Sequence, residues 1–245
     1  MENKEPVIAI TDLHKAFGDN EVLKGVTITV NKSEDVVILG RSGTGKSVTI
    51  KCLVGLEPVD KGTIKVFGTD ITKLKNNELN EIRARIGFMF QNGALYDSMS
   101  VRQNLTFTLK HHEKKITTED ITSRINEALE NVGLLEAIDK MPSELSGGMR
   151  KRIGMARTLI IKPEIILYDE PTSGLDTITA REISELMVAV QKKYKTTSLI
   201  ITHDMACAKL TGNRILILKD GVINAEGTYA ELEKSKDPWV KSFFI

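Results

Sequence analysis

The chain has 245 residues, with 34 lysines and arginines against 33 acidic residues and a net charge of +1, so nothing in its charge calls for a polyanion and nucleic acid is a poor partner. Its 41% hydrophobic content is enough for one sizeable core. Cys52 and Cys207 lack zinc-ligand spacing, Met1 to Pro6 is charged with no apolar signal core behind it, and no window of about 18 apolar residues exists, so the expectation is a cytosolic chain whose membrane functions need a separate transmembrane partner.

In chain order, Val7 to Ala16 and Val22 to Val30 alternate in polarity around Gly18-Asp19-Asn20, which predicts an antiparallel hairpin, and Gly62 to Gly68 reads as a further strand beside it. Val36 to Leu39, Ile165 to Tyr168, Ser198 to Ile201 and Arg214 to Leu218 are almost continuously apolar, as strands covered on both faces of a parallel sheet are. Helical stretches at Lys46 to Leu56 and Thr179 to Lys193 alternate with them, the pattern of an α/β domain. From Ser98 to about Leu159 strand character is scarce, and Ile121, Ile125, Leu129 and Val132 recur at helical spacing, which predicts a helical lobe inserted into the α/β core.

Between the Val36 to Leu39 strand and the helix that follows lies Gly40-Arg41-Ser42-Gly43-Thr44-Gly45-Lys46-Ser47, then Val48. Every position of the phosphate-binding P-loop pattern is filled, in the strand-to-helix context that pattern needs. Its glycines let the backbone wrap round phosphates while successive N–H groups and the helix dipole face negative charge. Lys46 is expected on the β- and γ-phosphates of ATP and the Ser47 hydroxyl on Mg²⁺. Such a site needs a carboxylate for the metal and a group to orient water. Asp169 and Glu170, ending the strand Ile165 to Tyr168, suit the two roles in that order. Alone, two acids closing an apolar strand are more often just a solvated strand end; paired with a P-loop the catalytic reading prevails.

Leu145-Ser146-Gly147-Gly148-Met149 resembles the signature motif of ATP-binding-cassette (ABC) proteins, and Ser146 precedes Asp169 by 23 residues. Ser146 is also a good helix N-cap, which is compatible, since in that family the capped helix end faces the γ-phosphate held by a second subunit. Gln91 after an apolar strand, Ser173-Gly174-Leu175-Asp176 and His203 resemble the Q-loop, D-loop and H-switch in the family's order. The resemblance implies a P-loop NTPase (RecA-like) parallel-sheet core with an N-terminal antiparallel β subdomain and an inserted helical subdomain, in one nucleotide-binding domain over 1–245. The helical part spans roughly 98–159 and a C-terminal extension 228–245. By the same resemblance Gln91 senses Mg²⁺, water and the transport partner, His203 contacts the γ-phosphate, Ser146, Gly147 and Gly148 complete the site of a second copy, and Asp176 communicates between copies. Phe17 stands where the family's adenine-stacking aromatic, usually Tyr, sits; core packing is its other reading. Met149 replaces the commoner Gln and leaves the Ser-Gly-Gly cradle intact.

Phe90 to Tyr96, Met141 to Met149 and Asp237 to Phe244 resemble the ATPases of bacterial phospholipid-transport systems of the mammalian-cell-entry (MCE) type. That implies an ATP-dependent homodimer driving lipid transport through transmembrane permease subunits, with a lipid-binding MCE-type subunit, on the cytoplasmic face of the inner membrane. Gly93 to Met99 is then the expected permease-docking surface. Another cargo (lipoprotein, drug or amino acid) and a non-transport ABC ATPase remain alternatives. The second is disfavoured because the chain holds one cassette without coiled-coil or zinc insertions, and a non-hydrolysing scaffold is disfavoured by Glu170 and His203. Trp239, Val240, Phe243, Phe244 and Ile245 crowd the C-terminus, so this tail should be docked, either on its own subunit or, as the resemblance suggests, on the neighbouring one.

Overall fold

A computed structural model describes residues 6–244; Met1 to Glu5 and Ile245, assigned above to the N-terminal segment and the tail, lie outside the described residues. Strands β1 (Ile8–Phe17) and β2 (Asn20–Val30) form the expected antiparallel hairpin, closed at Gly18 and Asp19 because Phe17 already pairs with Asn20. The other edge of β1 pairs antiparallel with a strand at Lys61–Val66, which extends to a short one at Thr69–Asp70. In chain order these are β4 and β5, after β3 (Asp35–Leu39).

β3 belongs to a second sheet with β6 (Ile86–Met89), β7 (Ile165–Asp169), β8 (Thr197–Thr202), β9 (Arg214–Lys219) and β10 (Val222–Gly227), in the order β10-β9-β3-β8-β7-β6. All neighbours are parallel except β10, which returns antiparallel on β9. The continuous apolar runs follow from this position. On β3, Val36 and Ile38 face a core shared with the four-stranded sheet and helix α1 (Lys46–Leu53), while Val37 and Leu39 face the core of the other helices. The same alternation holds on β7, with Ile165 and Leu167 on one side and Ile166 and Tyr168 on the other. With both faces buried, neither phase can be polar.

Helix α1 stops three residues short of the expected Leu56, because Gly55 adopts φ +65° and its N–H and that of Leu56 fold back onto the Cys52 and Lys51 carbonyls. A short α2 (Asn76–Arg83) leads into β6. Between β6 and β7 the chain forms α3 (Val101–His112), α4 (Thr118–Asn131) and α5 (Gly147–Leu159), and no strand occurs there among the described residues. Ile121, Ile125 and Leu129 of α4 are buried, as their spacing requires. Helix α6 (Thr177–Tyr194) begins two residues before the expected Thr179, since the Asp176 carboxylate accepts from the N–H groups of Ile178 and Thr179 and so sets the N-cap. After α7 (Met205–Thr211) and α8 (Tyr229–Glu233), the tail forms α9 (Pro238–Lys241). Val240 is buried, Phe244 meets Tyr229 edge-on at 5.1 Å and the Lys219 ammonium lies 4.8 Å over Trp239. The described part of the tail therefore rests on its own chain, the first of the two dockings expected for it.

Candidate functional site

The parallel strands β3, β6, β7 and β8 all end at one edge of the sheet, and the segments leaving their C-terminal ends carry the polar residues singled out above. From β3 the chain enters the glycine loop. Gly45 has φ +102°, and a Cβ there would lie 2.7 Å from Leu23 Cδ2 and 3.1 Å from the Val22 carbonyl, so conformation and space both demand glycine. No side chain caps α1, which leaves its first-turn N–H groups for an anion. Inside the loop Lys46 is buried, its Nζ donating to the carbonyls of Gly40 (2.8 Å) and Arg41 (3.0 Å) and lying 3.5 Å from Glu170 Oε1. Thr44 steadies the loop by donating its hydroxyl to the Arg41 carbonyl.

At the end of β7, Asp169 Oδ1 accepts from the Ser47 hydroxyl at 2.9 Å. Burial pushes the Asp169 carboxyl above the ordinary range; the Ser47 hydrogen bond, Lys51 and Lys46 act the other way, and the Glu170 charge adds to the rise. A divalent cation close by would offset that burial. The Ser47 hydroxyl and Asp169 carboxylate offer two hard oxygen donors side by side, which suits an ion that brings most of its oxygen ligands with it, as Mg²⁺ brings water and phosphate. Glu170 sits at φ +50°, unusual for a non-glycine residue. Its Oε2 accepts from the backbone N–H of His203 at 3.3 Å and lies 2.8 Å from His203 Nδ1, so the Nδ1–H tautomer donates to it. His203 follows β8 and is 62% exposed at the side chain, against 12% for Glu170.

A cleft of about 830 Å³ gathers Phe17, Gly40, Arg41, Ser42, Gly43, Gly45, Lys46, Ser47, Val48, Gln91, Glu170 and His203 along its walls. Phe17 is 46% exposed there, which removes core packing as its reading. Asp169 joins the group through Ser47. Ser146, Gly147 and Gly148 are not on this wall: Ser146 caps α5 by accepting from Met149 N–H, while Gly147 and Gly148 abut Leu175 and Thr179. Nor is Asp176, whose carboxylate is taken up by the α6 cap and the Thr179 hydroxyl and held below the usual range chiefly by that hydroxyl. Sequence reasoning missed Val22, Met205, Ser242 and Phe243, which also line the cleft, because long-range packing brings them there. It also missed Lys151, a lysine on a helix face otherwise made of Gly147, Gly154 and Thr158; a charge in such a stripe was the available signal.

Residues 23–173 match the family described as ABC transporter. The chain is 40% identical over 236 residues to the probable ribonucleotide transport ATP-binding protein mkl of Mycobacterium tuberculosis, a match covering 96% of this chain and 66% of that protein, just under two thirds of its length. It is 38% identical over 261 residues to the chloroplastic protein trigalactosyldiacylglycerol 3 of Arabidopsis thaliana, covering 99% of this chain and 75% of that one. Among solved structures, the dimeric post-hydrolysis state of the ATP-binding cassette MJ0796, bound to ADP and Pi, superposes with a TM-score of 0.83 at 30% identity, over 90% of this chain and 98% of that one.

Proposed function

We propose that this chain, which belongs to the ABC transporter family, is a transporter's ATP-hydrolysing subunit and drives lipid movement through separate membrane subunits. The observation that carries the ATPase reading is the convergence of Lys46, Ser47, Asp169, Glu170 and His203 from three strand ends on one cleft. Phe17 offers an aromatic face to the adenine, and the loop N–H groups with Lys46 hold the phosphates. Ser47 and Asp169 hold Mg²⁺, which neutralises charge on the phosphates when bound. Glu170 takes a proton from the attacking water, with His203 fixing its carboxylate. Gln91, on the same wall, reports the state of the site to a permease docked near Gly93 to Met99, where Tyr96 and Phe107 stand exposed in an edge-to-face pair at 5.2 Å.

Because Ser146, Gly147 and Gly148 stand away from the cleft of their own chain, the complete site needs two copies, each lending its capped α5 terminus to the other's nucleotide. The dimeric form of MJ0796 supports this arrangement. No helix among the described residues is long and apolar enough to cross a membrane; attachment through permease subunits at the cytoplasmic face is part of the same proposal and rests on the family membership. Lipid as cargo, with an MCE-type lipid-binding partner, is supported by the motif resemblance and by the Arabidopsis relative, named for a galactolipid. The mycobacterial relative is named for ribonucleotide transport, and that cargo is the competing outcome. The test is to purify the chain with the membrane subunits it retains, measure MgATP-dependent phosphate release, and identify the co-purified cargo by mass spectrometry. Enriched phospholipid is expected. A ribonucleotide or amino acid in its place would overturn the lipid assignment, and absence of phosphate release would overturn the ATPase.

A further inference from the structure

Three segments that flank the cleft meet on one buried side chain. Lys151, in the second turn of α5, is 6% exposed. Its Nζ donates to the carbonyl oxygens of Gln91 (2.5 Å) and Glu170 (3.0 Å) and lies 3.4 Å from the Ser173 hydroxyl oxygen. One acceptor follows β6, one immediately follows β7 and one lies in the loop before α6. A buried ammonium is tolerated only where its N–H groups find partners, and here three donors meet three acceptors. Burial brings this ammonium down to about 8, with Glu170 and Asp169 holding it up.

The contact with Glu170 falls where the backbone is least able to hold itself. A non-glycine residue at φ +50° is strained and persists only where its surroundings over-determine it. The Glu170 carbonyl is gripped by Lys151 Nζ, by the Ser173 hydroxyl at 3.0 Å and by the Ser173 N–H at 3.2 Å, while its N–H donates to the Ile201 carbonyl at 2.9 Å. That peptide's orientation decides where the Glu170 side chain leaves the strand, and so its reach to Lys46 and His203. On the Gln91 side, α5 holds the same loop at two more points. A Cβ on Gly154 would come within 2.8 Å of Gly93 Cα, and Arg157 donates to the Ala94 carbonyl.

We propose that Lys151 is a positioning residue for hydrolysis: its ammonium clamps the left-handed Glu170 peptide and the Gln91 loop onto α5, so that Glu170 is set for water activation only while α5 is seated. The inference rests on the ATPase reading above. It makes α5, whose N-terminus serves the partner copy's nucleotide, the strut that aims the base of its own site.

The test is steady-state phosphate release by the full chain across MgATP concentrations for the parent, K151M and K151R. K151M keeps length and apolarity but has no donors; kcat should fall at least tenfold with KM within threefold of the parent. K151R restores charge and donors and should recover at least a third of parental kcat. A side chain that serves only the fold would shift KM and stability together and would not be rescued by arginine. Parental kcat in K151M, a KM rising in step with the loss, or a K151R as inactive as K151M would each overturn the proposal. Should K151M not fold, S173A removes part of the same grip and is expected to lower kcat two- to fivefold at unchanged KM; parental kcat there also overturns it. A parent that releases no phosphate overturns the ATPase reading itself, whereas an active parent with a fully active K151M overturns this inference alone.

Discussion

Replacing Glu170 by Gln perturbs the cleft at one atom. The amide preserves the volume and the strained backbone, leaving the grip on the Glu170 carbonyl untouched, while Lys46 keeps the Gly40 and Arg41 carbonyls after losing the carboxylate 3.5 Å away. Stability should therefore change by no more than about 1 kcal/mol, the scale of one hydrogen-bonded contact. Chemistry should change far more. Positioned general bases contribute roughly 10²- to 10⁴-fold, and at about 1.36 kcal/mol per factor of ten the barrier should rise by about 2.7 to 5.4 kcal/mol. MgATP binding, which uses the loop, Lys46 and Ser47, should persist, so the variant should accumulate an ATP-bound dimer. Phosphate release and size-exclusion chromatography with MgATP give the two readings. Turnover within threefold of the parent together with a monomeric elution would refute the role assigned to Glu170.

Ser146→Arg places a bulky cation at the α5 cap and should abolish the MgATP-dependent dimer in the E170Q background while monomer ATP binding, read by calorimetry, stays; an unaltered dimer would contradict the two-copy site. Val240→Ala, at a side chain 1% exposed beneath the tail, removes two methyl groups and should cost about 1 to 3 kcal/mol in urea unfolding, and a cost near zero would mean that the tail does not dock on its own chain. Asp35, buried at the start of β3 with one carboxylate oxygen unpartnered, is pushed up to about 6 chiefly by burial, with the Ser198 hydroxyl opposing and Glu34 adding. Because the folded state favours the protonated form, this residue's contribution to stability is full below pH 3.8 and is lost as pH rises through about 6. The stability difference between Asp35→Asn and the parent should accordingly move by about 3 kcal/mol in the variant's favour between pH 3.5 and pH 8; chemical denaturation at both pH values checks it, and a pH-independent difference would refute it.

Much of this protein was legible as sequence because the interactions concerned are short-ranged. The glycine loop between an apolar strand and a helix, the two acids closing β7 and the polar-apolar rhythm of α4 each depend on residues a few positions apart, and steric and hydrogen-bonding rules act at that distance. Even the two-sided burial of β3 and β7 could be read from the lack of a polar phase. The helix boundaries were less secure: α1 yields to Gly55 and α6 is claimed early by Asp176, because an apolar rhythm marks a helix's face and leaves its ends to one capping residue. Tertiary structure alone decided three matters. Phe17 is exposed on the cleft rather than packed, the tail lies on its own chain, and Lys151 reaches Gln91, Glu170 and Ser173. Each depends on where segments distant in sequence come to rest, and for a buried lysine only the folded backbone determines which carbonyls surround it.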